Sequence, residues 1–170
     1  AALLTDALSR IREGSVYWTH LGTEEDDLNA LKSSAAALHT SDHVSCEILG
    51  PVSHEQAIKF YRSTRVDAFI QLNEPSSFLP LLESMSCGIL PVAVNSGCNK
   101  DLVNDDHGLL LPQDTTGEEL AQVLTLLARM SPERMAPQRA KARKWWEDYY
   151  SNEKNYRKFA GQLAAEAARL

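Results

Sequence analysis

Cysteine is scarce in this chain: Cys46, Cys87 and Cys98 are its only three, and none stands in a C-x-x-C pair. Three thiols cannot all pair within one chain, and buried reduced thiols in a cytosolic protein are the better reading. The spacing also argues against a zinc site, and His20, His39, His43, His54 and His107 show no ligand spacing either. Long apolar runs are missing: nothing approaches the roughly 18 residues of a membrane span, and no basic-then-apolar leader precedes the first element. Positive charge is in deficit. A formal net charge of -6 removes the basic face that a nucleic-acid duplex would need, so no nucleic-acid partner is expected. The late basic residues Arg139, Lys141, Arg143 and Lys144 read as the solvated face of a helix. Internal repeats and low-complexity stretches are also lacking.

What is present is the composition of an ordinary soluble globular domain, 44% hydrophobic and 24% charged over 170 residues. One domain of that length buries a real core. The chain opens on a helical pattern, with Leu4, Leu8 and Ile11 on one face, which is the look of a piece of something larger. Strand and helix signals then alternate. Strands are expected over 16–21, 44–49, 66–72, 90–94 and 108–111, with helices over 25–39 and 120–130. Ser53 with Gln56, and Thr116 with Glu119, have the spacing of capping boxes. The alternation implies an α/β fold, a parallel sheet with helices on both faces, whose ligands sit at the carboxyl ends of the strands. Beyond Ser131-Pro132 only helix is expected, with a break near Ser151-Asn152. That tail crowds Trp145, Trp146, Tyr149, Tyr150, Tyr156 and Phe159 together. Such aromatics either close this domain's own core or pack on another domain.

The most informative stretch is NEPSSFLPLLESMSCGILPVAV, Asn73 to Val94. It is an apolar helix with a single carboxylate, Glu83, among Leu79, Leu81, Leu82 and Met85, leading through Gly88 to a strand. Burying an unpaired carboxylate costs several kcal/mol or shifts its pKa, so Glu83 points to a ligand or to an ion-pair partner. Pro75 to Phe78 form the turn that opens the helix, whose dipole-positive end suits an anion.

WTHLG (18–22), EILGPVSHEQAIKFYRSTRVDAFIQL (47–72), LPLLESMSCGILPVAV (79–94) and NSGCNKDLVNDDHGLLL (95–111) follow in order. Together they resemble the C-terminal, nucleotide-sugar-binding half of family 4 glycosyltransferases of the GT-B fold. WWEDYYSNEKNYRKF resembles the helices that cross back to that family's N-terminal half. The resemblance implies one Rossmann-like three-layer domain over 1–170, with an α/β core over 1–130 and a helical tail over 131–170. The acceptor-binding domain would then lie outside this chain.

By the same resemblance Glu83 is the second of a pair of glutamates and holds the ribose hydroxyls of the donor; two acceptor oxygens suit a vicinal diol. Ser76, Ser77, Phe78 and Leu79 fall on the loop whose amides bind donor sugar and diphosphate. Gly50, Pro51 and Val52 match the strand end against the base, and Gly22 a strand-end glycine that admits the phosphates. In ungapped register the first glutamate falls on Pro75, with Glu74 one residue early. A one-residue shift would bring Glu74 to the donor sugar as the catalytic carboxylate. The family's Gly-Phe-Gly is Ser76-Ser77-Phe78 here, and its diphosphate-binding Arg and Lys lie on a strand before residue 1. Asp101 stands for the acid of a family Gly-Gly-x-x-Glu.

The implied activity is transfer of a sugar from a nucleotide diphosphate sugar to a saccharide or lipid-linked acceptor, with no metal or other cofactor. The setting would be the cytoplasm, with the full-length protein peripheral to the inner face of the membrane. Two alternatives remain open: a sugar-nucleotide epimerase of the same architecture, and a non-catalytic nucleotide-binding relic, which Pro75 favours. The acidic pairs and tail aromatics favour the transferase.

Overall fold

In the computed structural model, residues 2–22, 25–40, 42–73 and 77–169 are described. The chain alternates as expected: α1 (Ala2–Ser9), β1 (Val16–Leu21), α2 (Glu25–Ala36), a 3-10 turn (Ala37–Thr40), β2 (Val44–Gly50) and α3 (His54–Ser63). Then come β3 (Ala68–Gln71), α4 (Leu79–Ser86), β4 (Leu90–Val94), α5 (Asn99–Leu102), β5 (Leu109–Leu111) and α6 (Gly117–Ala128). The tail is α7 (Pro132–Tyr149) and α8 (Asn152–Ala167), parted at Ser151. Both expected capping boxes form. Ser53 Oγ accepts from Gln56 N at the head of α3, and Thr116 Oγ1 accepts from Glu119 N at the head of α6, each acid or amide reaching back to the cap. The second helix therefore starts at Gly117, three residues before its first apolar position. Reciprocal caps of this kind contribute about 1 kcal/mol each.

All strand pairings are parallel, but among the described residues they fall into two sheets, β1-β2 and β3-β4-β5. The pleat sorts side chains between two cores. Val92 and Val94, with Ala68, Ile70 and Leu109, face Leu8, Ile11, Leu120 and Leu124 of the α1–α6 side. Ala93, with Phe69 and Leu110, faces Leu81, Met85, Leu102 and Val103 of the α4–α5 side. Val16 and Trp18 of β1 pack on the first core, so both sheets share it. Helices on two faces of parallel strands make the three layers. β4 is buried at every position, as a central strand covered on both faces must be.

One expectation about the tail is corrected. Arg139 and Arg143 are not part of a solvated face: Arg139 Nε donates to Gly88 O at 2.6 Å, and an Arg143 N–H donates to Ser86 O. Arg143 also lies over the Trp146 ring, 4.8 Å from its centroid. They satisfy carbonyls at the end of α4, which a helix cannot satisfy internally. The aromatics divide. Trp145, Trp146 and Tyr150 close this domain's own second core, whereas Tyr149, Tyr156 and Phe159 are exposed. His107, which has no ligand spacing in the sequence, is 3% exposed, with its ring stacked on Trp145 at 4.4 Å and its Nε2 against Leu102 O at 2.9 Å. No helix among the described residues is long and apolar enough to cross a membrane.

Candidate functional site

The carboxyl ends of β1 and β2 are joined by two glycines. Gly22 N donates to Gly50 O at 2.7 Å, and both residues have positive φ, +84° and +68°. A bulge between His20 and Leu21 shifts the register so that Leu21 faces Gly50. Among the described residues no heavy atom lies within 4 Å of a β-carbon placed on Gly22, so their backbone leaves this side open. Gly50 is tighter, with Leu28 Cδ2 at 3.4 Å from such a carbon. Pro51 and Val52 follow, exposed and half-buried, and Ser53 caps α3.

The first residue of α3 reaches the neighbouring helix α4. His54 Nδ1 lies 2.9 Å from Glu83 Oε1, with side-chain exposures of 73% for His54 and 18% for Glu83. Glu83 thus has the partner that a half-buried carboxylate needs. Tyr61, two turns beyond His54 on α3, is beside the same carboxylate. Burial, with the charges of Glu83 and Cys87 added, pushes its hydroxyl up to about 12. Its ring packs edge-on against Phe69 of β3 at 6.3 Å. The chain segment of Gly50, Pro51 and Val52 is therefore bound to Glu83 through α3. His54 escaped the sequence reading. The signal was its seven-residue spacing from Tyr61, which puts both on one helical face.

Ser77, Phe78 and Leu79 are exposed at the head of α4, four positions before Glu83. Ser77 Oγ accepts from Leu79 N at 3.3 Å, and Pro80 at the second helical position has no N–H. Fewer amides face a ligand here than at an unobstructed helix start. Glu74 and Ser76 lie outside the described residues. The residue before them is fixed: Asn99, fully buried, donates its Nδ2 to Asn73 O at 3.3 Å and to Val94 O at 3.1 Å, tying the ends of β3 and β4. Asp101 falls in the first turn of α5, the dipole-favoured place for an acid. Among the described residues no group of three or more His, Cys, Asp or Glu is placed to hold a metal ion. A groove of about 300 Å³ between β5 and α6, lined by Leu111, Pro112, Val123 and Leu126, contains none of these residues.

The family model for "Glycosyl transferases group 1" matches residues 2–145. The chain belongs to the group 1 glycosyltransferases. No curated protein matches this glycosyltransferase chain by sequence. Solved structures share its fold. A glycosyltransferase from Rickettsia africae is 20% identical with a TM-score of 0.75, covering 94% of this chain and 42% of its own. Anabaena Alr3699/HepE, in complex with UDP and glucose, is 17% identical with a TM-score of 0.69, covering 96% and 44%. The catalytic domain of cholesterol-alpha-glucosyltransferase from Helicobacter pylori is 20% identical with a TM-score of 0.69, covering 87% and 89%. The chain thus spans 44% of the length of the Anabaena protein.

Proposed function

We propose that this chain, as one domain over 1–170, binds the nucleotide diphosphate sugar from which the full-length glycosyltransferase takes its sugar. The observation that carries the proposal is the half-buried Glu83, whose carboxylate is held by His54 at the head of α3, four residues after Gly50 of the bonded glycine pair Gly22 and Gly50, which is open at Gly22. A carboxylate on that side suits the ribose diol, and bare backbone admits bulky phosphates. Phe78 and Leu79 at the head of α4, and Pro51 and Val52 after β2, would flank the sugar and the base. By the resemblance alone, Glu74 and Ser76 would serve the donor sugar.

Transfer needs no metal on this scheme: helix termini and basic residues stabilise the departing diphosphate electrostatically. Those basic residues would come from a strand before residue 1. The shared core beneath β1 and β3, which belong to separate sheets, is consistent with a further strand between them. The acceptor, a saccharide or a lipid-linked one, would be held by a second domain on the cytoplasmic side, peripheral to the membrane where the acceptor is a lipid. Pro75 in place of the first glutamate favours the second proposal, a domain that binds nucleotide without turnover.

The Anabaena neighbour is described in complex with UDP, which makes uridine diphosphate the first probe, followed by guanosine and adenosine diphosphates. In calorimetric titrations of the full-length protein, Glu83→Gln should weaken binding about 10- to 150-fold. This is the equivalent of about 1.5–3 kcal/mol for a lost charged hydrogen bond. Its melting temperature should stay nearly unchanged. Unfolding of the variant with intact affinity in the surviving protein would make Glu83 structural and refute the proposal. Turnover with a panel of donor sugars separates the transferase from the silent binder.

A further inference from the structure

Glu83 is the only carboxylate on α4, where it stands among Leu79, Leu81, Leu82 and Met85, and the helix's serines Ser84 and Ser86 turn their hydroxyls to backbone carbonyls. Nothing on its own helix orients its side chain. The orienting group comes from α3, where His54 brings Nδ1 to 2.9 Å from Oε1. His54 has no burial to gain from this pose: its side chain remains 73% exposed and the carboxylate only 18% exposed. An exposed imidazole at a helix start is otherwise free to sample rotamers in water, and ordering it has an entropic cost.

We propose that His54 is a positioning residue for Glu83, holding Oε1 so that Oε2 is presented to the vicinal diol of a nucleoside. This inference rests on the assignment of Glu83 to the donor nucleotide. A carboxylate has about four lone-pair sites, and one contact from imidazole leaves enough for a hydroxyl pair. Tyr61, on the same face of α3, is close enough to feel the Glu83 charge, and its hydroxyl stays protonated across the working pH range. Backing by a second residue narrows the carboxylate's motion to the geometry in which a rigid diol is met, so less ordering is left for the binding step.

The test uses the full-length protein with uridine, guanosine and adenosine diphosphates and their 2′-deoxy analogues, titrated calorimetrically. For the base that binds, the wild type should prefer the ribo form by about tenfold or more, the effect of about 1.4 kcal/mol of hydroxyl contact. His54→Ala should cut that preference to threefold or less by weakening the ribo form alone, at an unchanged melting temperature. His54→Asn, whose amide nitrogen falls near the place of Nδ1, should bring the preference back. Failure of Asn to do so would overturn the role of the ring nitrogen. A wild-type preference in His54→Ala, lost in Glu83→Gln, would overturn the positioning role and leave the donor assignment standing. A wild-type preference in Glu83→Gln, or no binding of any diphosphate by the wild type, would overturn both.

Discussion

Gly22 separates what a backbone needs from what a ligand needs, because its φ of +84° and its open surroundings impose different demands on a substituted side chain. In Gly22→Ala the new methyl meets no heavy atom of the described residues within 4 Å, so against them the cost in the free protein is conformational alone. A left-handed residue with a β-carbon loses about 1–2 kcal/mol. The stiffer unfolded chain returns about 0.4–1 kcal/mol. With mid-range values the net loss is about 0.8 kcal/mol, and at about 2–4 °C per kcal/mol for a chain of this size the melting temperature falls by about 2–3 °C. Gly22→Asn behaves differently, since Asn tolerates the left-handed region, and its melting temperature should stay closer to that of the wild type. Both side chains project into the space through which phosphates would approach. Binding of uridine diphosphate to the full-length protein should therefore weaken by about tenfold or more in both variants, about 1.4 kcal/mol or more. Thermal unfolding and calorimetric titration read the two effects independently. Wild-type affinity in both variants would show that the glycine serves the strand end and not the ligand. An unchanged melting temperature in Gly22→Ala would refute the conformational half.

Gly108→Ala should destabilise by about 1–3 kcal/mol through overpacking, because its β-carbon would lie 2.6 Å from Val103 Cγ1 and 2.9 Å from the Pro91 carbonyl oxygen. Thermal unfolding checks it, and a melting temperature within a degree or so of the wild type would show that β4 and β5 yield easily. Burial holds the His20 imidazole below its ordinary range, so the unfolded chain takes up its proton first and stability falls as pH drops below about 6.5. The melting temperature of His20→Gln should accordingly gain on that of the wild type between about pH 7.5 and 5.5, and a difference independent of pH would contradict the assignment.

What could be read along the chain was what neighbouring residues decide among themselves. Ser53 with Gln56 and Thr116 with Glu119 were legible because a capping box is closed within four residues. The break at Ser151 and the alternation of strands were legible for the same reason. Glu83 stood out because a carboxylate in an apolar helix is a local contradiction. Its partner was hidden: His54 looks like any polar first-turn residue until the packing of α3 on α4 sets it opposite an acid. Arg139 and Arg143 matched a solvated stripe in spacing, and only the crossing of α7 under the end of α4 turned them into caps for Gly88 and Ser86. The stacking of His107 on Trp145 likewise depends on two elements meeting that the sequence keeps far apart.

The arginine caps also make a mechanical link. Arg139 and Arg143 grip the carbonyls of Gly88 and Ser86, and Ser86 Oγ in turn donates to Glu83 O at 2.6 Å. Load applied to α7 is thus passed to the backbone of Glu83 within one helical turn, through bonds that run along α4 and not across soft side-chain packing. Arg139 shares the load with Asp67 at the root of β3, 3.6 Å away. Through these two arginines α7 is tied to the end of the carboxylate-bearing helix. A pull on α7 is a pull on the last turn of α4, the turn that carries Glu83.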